Sequence, residues 1–219
     1  LAPAIAIVII YSSMQRALLD VQTERAKNLS QSTAVAFDKE VEMVVNIGDY
    51  VSTDTDLQEY TKKIVGKSTV QKFFGAYVMA NDYPNYSLIN DFVKSVYILS
   101  ENADYVICIP QVIPNSRVGL STLDLFQNTK DYQDMIDILG SWGKKELIYE
   151  EWEDGTKSFY IKKLFDFGNQ EGQRGYVVIE MEQKQIKMML KNMLGTDNGT
   201  TMLVDEKGKI LCSYEKMPS

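Results

Sequence analysis

"FVKSVYILSENADYVICI", Phe92 to Ile109, is the stretch that predicts an antiparallel sheet. Residues Phe92–Ser100 alternate between inward and outward types and are rich in β-branched side chains, which is typical of a half-buried strand. The letters "ENAD" supply a turn, and Tyr105–Ile109 is predicted to be the returning strand. We therefore predict a β-hairpin at this point.

Three more strands are predicted downstream, and they bring the sheet to five: Lys145–Trp152, Lys157–Phe165 and Arg174–Met181. A turn "EDGT" joins the first two of them. Between the hairpin and these strands, Pro110–Gly140 is predicted to be a long irregular loop followed by a short helix, and such a loop inside a compact domain is usually functional. Five antiparallel strands with helices to one side make an α+β domain.

The residues before the sheet predict helices. From Ser12 to Val51 there is no proline, and Gly48 is the single glycine. Apolar residues recur at helical spacing near both ends, whereas the centre is polar. We interpret this stretch as one long stalk helix, which suits the seam of a homodimer; two helices packed on one domain are the alternative. A shorter amphipathic helix is predicted over Glu182–Leu194.

The first eleven residues, "LAPAIAIVIIY", are apolar and uncharged. At a rise of about 1.5 Å per residue they would span roughly half of a bilayer core. We interpret residues 1–11 as the C-terminal part of a transmembrane helix. The core of a signal peptide and a buried terminal element are the alternatives.

The last stretch, "LVDEKGKILCS", Leu203 to Ser213, has the pattern of strand, tight turn and strand, with Gly208 in the turn. A hairpin alone is marginally stable in water. If it opens a further domain, then Val204, Ile210 and Cys212 should be poorly covered, unless the preceding helix or a neighbouring chain packs on them.

Composition excludes several classes of function. The chain of 219 residues has no histidine, which rules out Ser-His-Asp triads and His-ligated metals. A net charge of -7 disfavours nucleic acid as a partner. We expect no catalytic residues, metal or cofactor in this segment. Cys108 and Cys212 are predicted to be buried free thiols, and a disulfide between them stays open.

The order of elements resembles the extracellular sensors of bacterial double-Cache receptors, which are PAS-like, and most of all those of Gram-positive transmembrane histidine kinases. The resemblance covers nearly the whole chain and is carried by the N-terminal helix with its long continuation and by these segments: "VKSVYILSENADYVICI", "ELIYEEW", "KSFYIKKLF", "GYVVIEM", "QIKMMLKNM" and "LVDEKGKILCS". It implies a membrane-distal sensor domain over residues 52–195, and residues 196–219 as the truncated start of a membrane-proximal PAS-like domain.

The resemblance also implies a small-molecule pocket between the sheet and Pro110–Gly140. Amino-acid sensors of this kind start a helix there with Arg-x-Trp-Tyr, but this chain has "TKDYQD" and lacks the arginine, which argues against an amino-acid ligand. The candidate ligand-binding residues are aromatic side chains with polar tips and the one loop arginine: Tyr97, Arg117, Tyr132, Trp142, Tyr149 and Tyr160. Core aromatics and a solvated arginine are the alternative interpretations.

The function predicted from the sequence is therefore an extracellular ligand-sensing input domain of a transmembrane two-component histidine kinase, located at the cell membrane. The ligand would shift the sheet against the long helix, which would pass the change on. The alternatives are the same domain on a methyl-accepting chemoreceptor or a diguanylate cyclase, a secreted small-molecule binding protein, and an enzyme that uses two carboxylates.

Overall fold

The computed structural model describes residues 2–63, 66–100, 105–109, 111–114, 132–144, 146–151, 157–166, 174–195 and 199–217. The chain begins with four helices: α1 (Ala2–Ser52), α2 (Thr55–Lys63), α3 (Thr69–Asp82) and α4 (Tyr86–Ile89). The sheet strands follow with one helix between them: β1 (Val93–Ser100), β2 (Tyr105–Cys108), β3 (Gln111–Pro114), α5 (Tyr132–Ser141), β4 (Leu147–Glu151), β5 (Lys157–Asp166) and β6 (Arg174–Met181). The described part ends with α6 (Gln183–Leu194), β7 (Gly199–Val204) and β8 (Ile210–Lys216).

The main sheet is antiparallel and has the strand order β3-β2-β1-β6-β5-β4. The predicted α+β class is confirmed, and all five predicted strands are present. A sixth strand, β3, joins the edge, within the segment that we expected to be irregular. Prolines obscured it in the sequence, yet an edge strand tolerates Pro114 because its outer side needs no ladder hydrogen bond.

Helix α1 is one continuous helix of 51 residues, so the long predicted helix is confirmed and the two-helix alternative is wrong. Its last turns pack on the sheet, where Val44 and Val51 are fully buried. Gly48 permits this approach: a Cβ there would lie 3.0 Å from Cγ of Lys163 and 3.6 Å from Cδ1 of Ile179. A larger side chain at this position would hold helix and sheet apart.

The sheet separates two apolar cores. The first core lies on the face covered by α1, α3 and α6, and it includes Ile98, Phe159 and Ile179. The second core lies on the face covered by α5, and it includes Tyr97, Tyr160 and Leu139. Alternate side chains of each central strand point to opposite faces, so neighbouring residues on β6 enter different cores.

Both cysteines are free and buried, as predicted. Cys212 belongs to the first core and Cys108 to the second, so the sheet lies between them. The disulfide that the sequence left open is therefore absent from the described part of the chain.

The C-terminal hairpin is present and forms a separate two-stranded sheet, β7-β8. It packs on α6, where Oγ1 of Thr201 donates a hydrogen bond of 2.9 Å to the carbonyl oxygen of Leu190. Cys212 is buried in this contact, whereas Val204 and Ile210 are 50% and 44% exposed. The preceding helix thus covers one of the three apolar side chains in question.

Among the helices that the structure describes, none has an apolar stretch long enough to cross a membrane. The transmembrane interpretation of residues 1–11 stays a prediction.

Candidate functional site

The candidate site lies on the face of the sheet that α5 covers, where charged side chains interrupt the second core. The adjacent strands β1, β6 and β5 each contribute, because the register places Ser95 and Tyr160 on either side of Glu180. Alternation along β6 directs Tyr176, Val178 and Glu180 to this same face. A carboxylate therefore occupies a position where the pattern calls for an apolar residue.

Glu180 is the centre of the site, and only 1% of the residue is exposed. Its Oε1 accepts a hydrogen bond of 2.8 Å from Nζ of Lys94, and its Oε2 accepts one of 2.8 Å from the hydroxyl of Tyr97. Burial raises the pKa of Tyr97, and the charge of Glu180 raises it further, so the hydroxyl stays a donor. Both carboxylate oxygens are thus satisfied within the protein.

Cys108 lies opposite Tyr97 on β2. Burial, assisted by the charge of Glu180, raises the pKa of this thiol to about 12. Because the thiolate is the reactive form of cysteine, Cys108 is unsuited to nucleophilic chemistry at neutral pH.

Lys162 fixes α5 to the sheet. The residue is 4% exposed, and its Nζ donates hydrogen bonds to the carbonyl oxygens of Leu139, at 2.9 Å, and Gly143, at 2.6 Å. These carbonyls belong to the end of α5 and the turn after it, where backbone acceptors otherwise lack partners. Burial lowers the pKa of Lys162, and the ammonium group lies 5.9 Å from the ring centre of Tyr176.

An aromatic pair forms the wall of the site beneath the turn that follows α5. The rings of Trp142 and Tyr160 stack with centroids 5.4 Å apart and planes inclined by 25°. Nε1 of Trp142 donates a hydrogen bond of 2.7 Å to Oε1 of Glu150 on β4. Both residues are buried, and polar groups lie at the border of the stack.

The structure brings three of the candidate residues together on this face: Tyr97, Trp142 and Tyr160. Tyr149 lies on the opposite face, in edge contact with Phe159 at 5.3 Å between centroids. Tyr132 begins α5, but its side chain lies outside the described part, and Arg117 lies outside the described residues altogether.

Glu180, Lys94 and Lys162 are not among the site residues predicted from the sequence. Two of them could have been found by continuing the strand alternation: Glu180 has the same parity as Tyr176, and Lys162 has the same parity as Tyr160. A charged residue at an inward position is the signal of a polar site inside a core. Lys94 could not be found in this way, because the register shifts between Val93 and Ser95.

Within the described ranges, no group of three or more Cys, Asp or Glu side chains could hold a metal ion. The buried charges of the site are matched instead by each other and by backbone carbonyls.

No protein-family model matches the chain, and no curated protein matches it. The extracellular domain of vpHK1S-Z8, classed as a histidine kinase, superposes with a TM-score of 0.53 at 14% identity, over 88% of this chain and 69% of that one. A domain of a sensory box/GGDEF family protein from Vibrio parahaemolyticus gives a TM-score of 0.48 at 13% identity, over 86% and 72%. The ligand-binding domain of Campylobacter jejuni chemoreceptor Tlp3, in complex with 4-methylisoleucine, gives 0.40 at 14% identity, over 87% and 69%. The first similarity shows a fold shared with that extracellular domain and nothing finer.

Proposed function

We propose that this chain is the extracellular ligand-sensing domain of a transmembrane two-component histidine kinase, and that it binds a small molecule on the face covered by α5. The observation that carries the proposal is the cluster of Glu180 and Tyr97, which are buried, with Lys94 at the border of the second core. Well-packed apolar residues often stabilise a core as well as a buried ion pair does, so the charges suggest a role other than stability.

The proposed ligand is a small polar molecule that contacts the stacked rings of Trp142 and Tyr160 and competes for the polar tips of Glu180 and Tyr97. Arg117 and Tyr132 are proposed as further contacts, from the loop and from the start of α5. Because the relevant groups are already hydrogen-bonded, the ligand has to replace those bonds rather than add to them.

The proposed signal leaves through β6. Glu180 faces the ligand side, while its neighbour Ile179 belongs to the core beneath α1, close to Gly48. A displacement of Glu180 therefore moves a side chain that packs against the long helix, and the helix transmits the change. In this proposal residues 1–11 belong to a transmembrane helix, residues 12–51 are the stalk, residues 52–195 are the sensor, and residues 196–219 begin a membrane-proximal domain.

The same sensor on a chemoreceptor or a diguanylate cyclase is the alternative, as is a secreted binding protein. These alternatives share the binding site and differ in the remainder of the full-length protein. The sequence of the full-length protein would discriminate between them, and the result would have no bearing on the proposed binding site.

The test is a thermal-shift screen of the full chain against sugars, amines, small acids and peptides. We expect one chemical class to raise the melting temperature, and we expect the rise to be lost in Glu180→Gln and Trp142→Phe, which preserve the size or aromaticity of the side chain. Glu151→Gln, at the exposed end of β4, is the matched control and should keep the rise. No hit in any class, or a rise that survives in Glu180→Gln, would contradict the proposal.

A further inference from the structure

A groove with a volume of about 320 Å³ opens at one end of the main sheet, where β1 and β5 begin, β6 ends and α6 starts. This volume lies within the range of small-molecule sites. The groove is lined mainly by charged and polar side chains: Lys94, Lys157, Ser158, Glu180, Met181, Glu182, Gln183, Lys184 and Lys187.

The charge of the groove is positive, since four lysines face two glutamates and leave an excess of two charges. Both carboxylates already have partners. Glu180 is held by Lys94 at 2.8 Å, and Oε1 of Glu182 accepts the backbone N–H of Lys184 at 3.1 Å. The excess therefore resides on the other lysines of the groove.

Lys184 and Lys187 lie in the first two turns of α6, and across the described ranges neither forms an ion pair. Cations at a helix N-terminus oppose the helix dipole, which favours anions there. The third lysine, Lys157, is 3.8 Å from Glu151, and both side chains are about one-third or more exposed, so this pair is weak. Lysines therefore lie beside the groove at a helix end where the dipole favours anions.

Ser158 adds an independent observation. The residue is 4% exposed and lines the groove, yet its hydroxyl has no hydrogen-bond partner among the residues that the structure describes. Its oxygen is not among the fully buried side-chain atoms that lack a partner, so the hydroxyl is open to the groove and can donate to an acceptor bound there.

We propose that this groove binds the anionic group of a small molecule, a carboxylate or a phosphate. Oγ of Ser158 donates a hydrogen bond to the anion, and Lys157, Lys184 and Lys187 neutralise it. The groove shares Glu180 with the site described above, so the inference names the charge class of the sensor's ligand. Its link to signalling rests on the proposed function, whereas the binding itself does not.

The test is an NMR titration of the uniformly ¹⁵N-labelled full chain with inorganic phosphate and, separately, with malonate. Ionic strength is held constant with sodium chloride, so that general screening is the same throughout. We expect saturable shifts of the backbone amides of Ser158, Lys184 and Lys187. The double variant Lys184→Gln, Lys187→Gln should bind roughly tenfold more weakly or worse, and Ser158→Ala about threefold more weakly.

Lys191→Gln is the matched control, because Lys191 lies in the last turn of the same helix and outside the groove. Its affinity for phosphate and malonate should equal that of the wild type. An unchanged melting temperature without anion shows that each variant is folded. Shifts that fail to saturate, or that saturate equally in the double variant, overturn the proposal.

This outcome is separable from that of the metabolite screen. Saturable anion binding together with an empty screen upholds the groove and contradicts the proposed sensor function. A screen hit that is lost in Glu180→Gln, together with no anion binding, upholds the sensor and overturns the groove.

Discussion

Glu180 combines deep burial with a charge that is held by Lys94 and Tyr97, so its loss should destabilise the fold strongly. Its side chain is 2% exposed, whereas that of Lys94 is 32% exposed and can regain water when its partner is removed. The hydroxyl of Tyr97 cannot regain water in this way, since that residue is fully buried.

Replacing Glu180 with alanine should lower the free energy of unfolding by about 2–3 kcal/mol, somewhat less than for a fully buried ion pair. Tyr97→Phe removes the donor to Oε2 of Glu180 and should cost about 1–2 kcal/mol, less than the loss of the carboxylate itself. Urea denaturation followed by circular dichroism measures both values. Equal effects of the two substitutions would show that Glu180 is not the centre of the cluster.

Cys108 should make the free energy of unfolding depend on pH, and the direction of this dependence follows from its raised pKa. Its folded pKa of about 12 exceeds the ordinary value of 9.0, so its stabilising contribution is complete below about pH 9. Above that pH the unfolded thiol loses its proton first, and the contribution falls by at most about 1.4 kcal/mol per pH unit.

The measurement is the difference in unfolding free energy between the wild type and Cys108→Ala at several pH values. We expect a constant difference up to about pH 9 and a decline from there to pH 10.5. Taking this difference removes the contributions of Tyr97 and of the other groups that titrate in both proteins. A difference that rises with pH would place the thiol in a polar environment, contrary to the structure.

At the scale of elements, the contact between α1 and β5 depends on a glycine. A methyl group at Gly48 meets Cγ of Lys163 at 3.0 Å, so that side chain has to shift by a few tenths of an ångström, whereas a longer side chain also meets Ile161 and Ile179. The same turn of α1 forms an ion pair with β5, since Asp49 lies 2.8 Å from Nζ of Lys163.

Gly48→Leu should therefore destabilise the chain by about 1–3 kcal/mol through overpacking. Gly48→Ala is the control and should stay within about 1 kcal/mol of the wild type, because the gain in helix propensity offsets the close contact. Thermal and urea denaturation report both. If leucine is tolerated as well as alanine, the helix does not approach the sheet as closely as described.

The elements also show what the sequence could and could not predict. The apolar, β-branched run in "GYVVIEM" predicts β6 but not the faces of its side chains, and the Ser68–Gln71 capping box fixes the start of α3. In "LIYEEW" three apolar residues stand in a row, so the sequence pattern does not show which face of the sheet Tyr149 lies on. Its packing against Phe159 in the structure decides this. The pairing of β1 with β6 is a contact between residues distant in sequence, and local pattern cannot predict it.

At the scale of the whole molecule, two helices expose apolar side chains to solvent. On α1 these include Leu18, 51% exposed, and Val21, 65% exposed. On α3 they include Phe73 and Phe74, which are 43% and 67% exposed. Contiguous exposed apolar residues are typical of an interaction surface, and the long helix is our proposed dimer seam.

Sedimentation equilibrium of the full chain should give the mass of a dimer. Glutamate at both Leu18 and Val21 should reduce it to the mass of a monomer, because four charges would meet across the seam. Phe74→Glu on α3 is the control and should leave the dimer intact. A monomeric wild type would contradict the proposed seam, and loss of the dimer in the control alone would move it to α3.

The unbroken course of α1 has a mechanical consequence. Every side chain from residue 17 to Leu29 is exposed, while the packed turns begin near Phe37. The helix is thus a lever with its pivot at the sheet: the stretch from Ala2 to Leu29 is about 42 Å long, and the packed arm beyond Phe37 is about 24 Å. A tilt of about 2° would move the far end by roughly 1.5 Å, compared with about 0.8 Å at the end of the packed arm. A change too small to disturb the core can therefore be large where the chain begins.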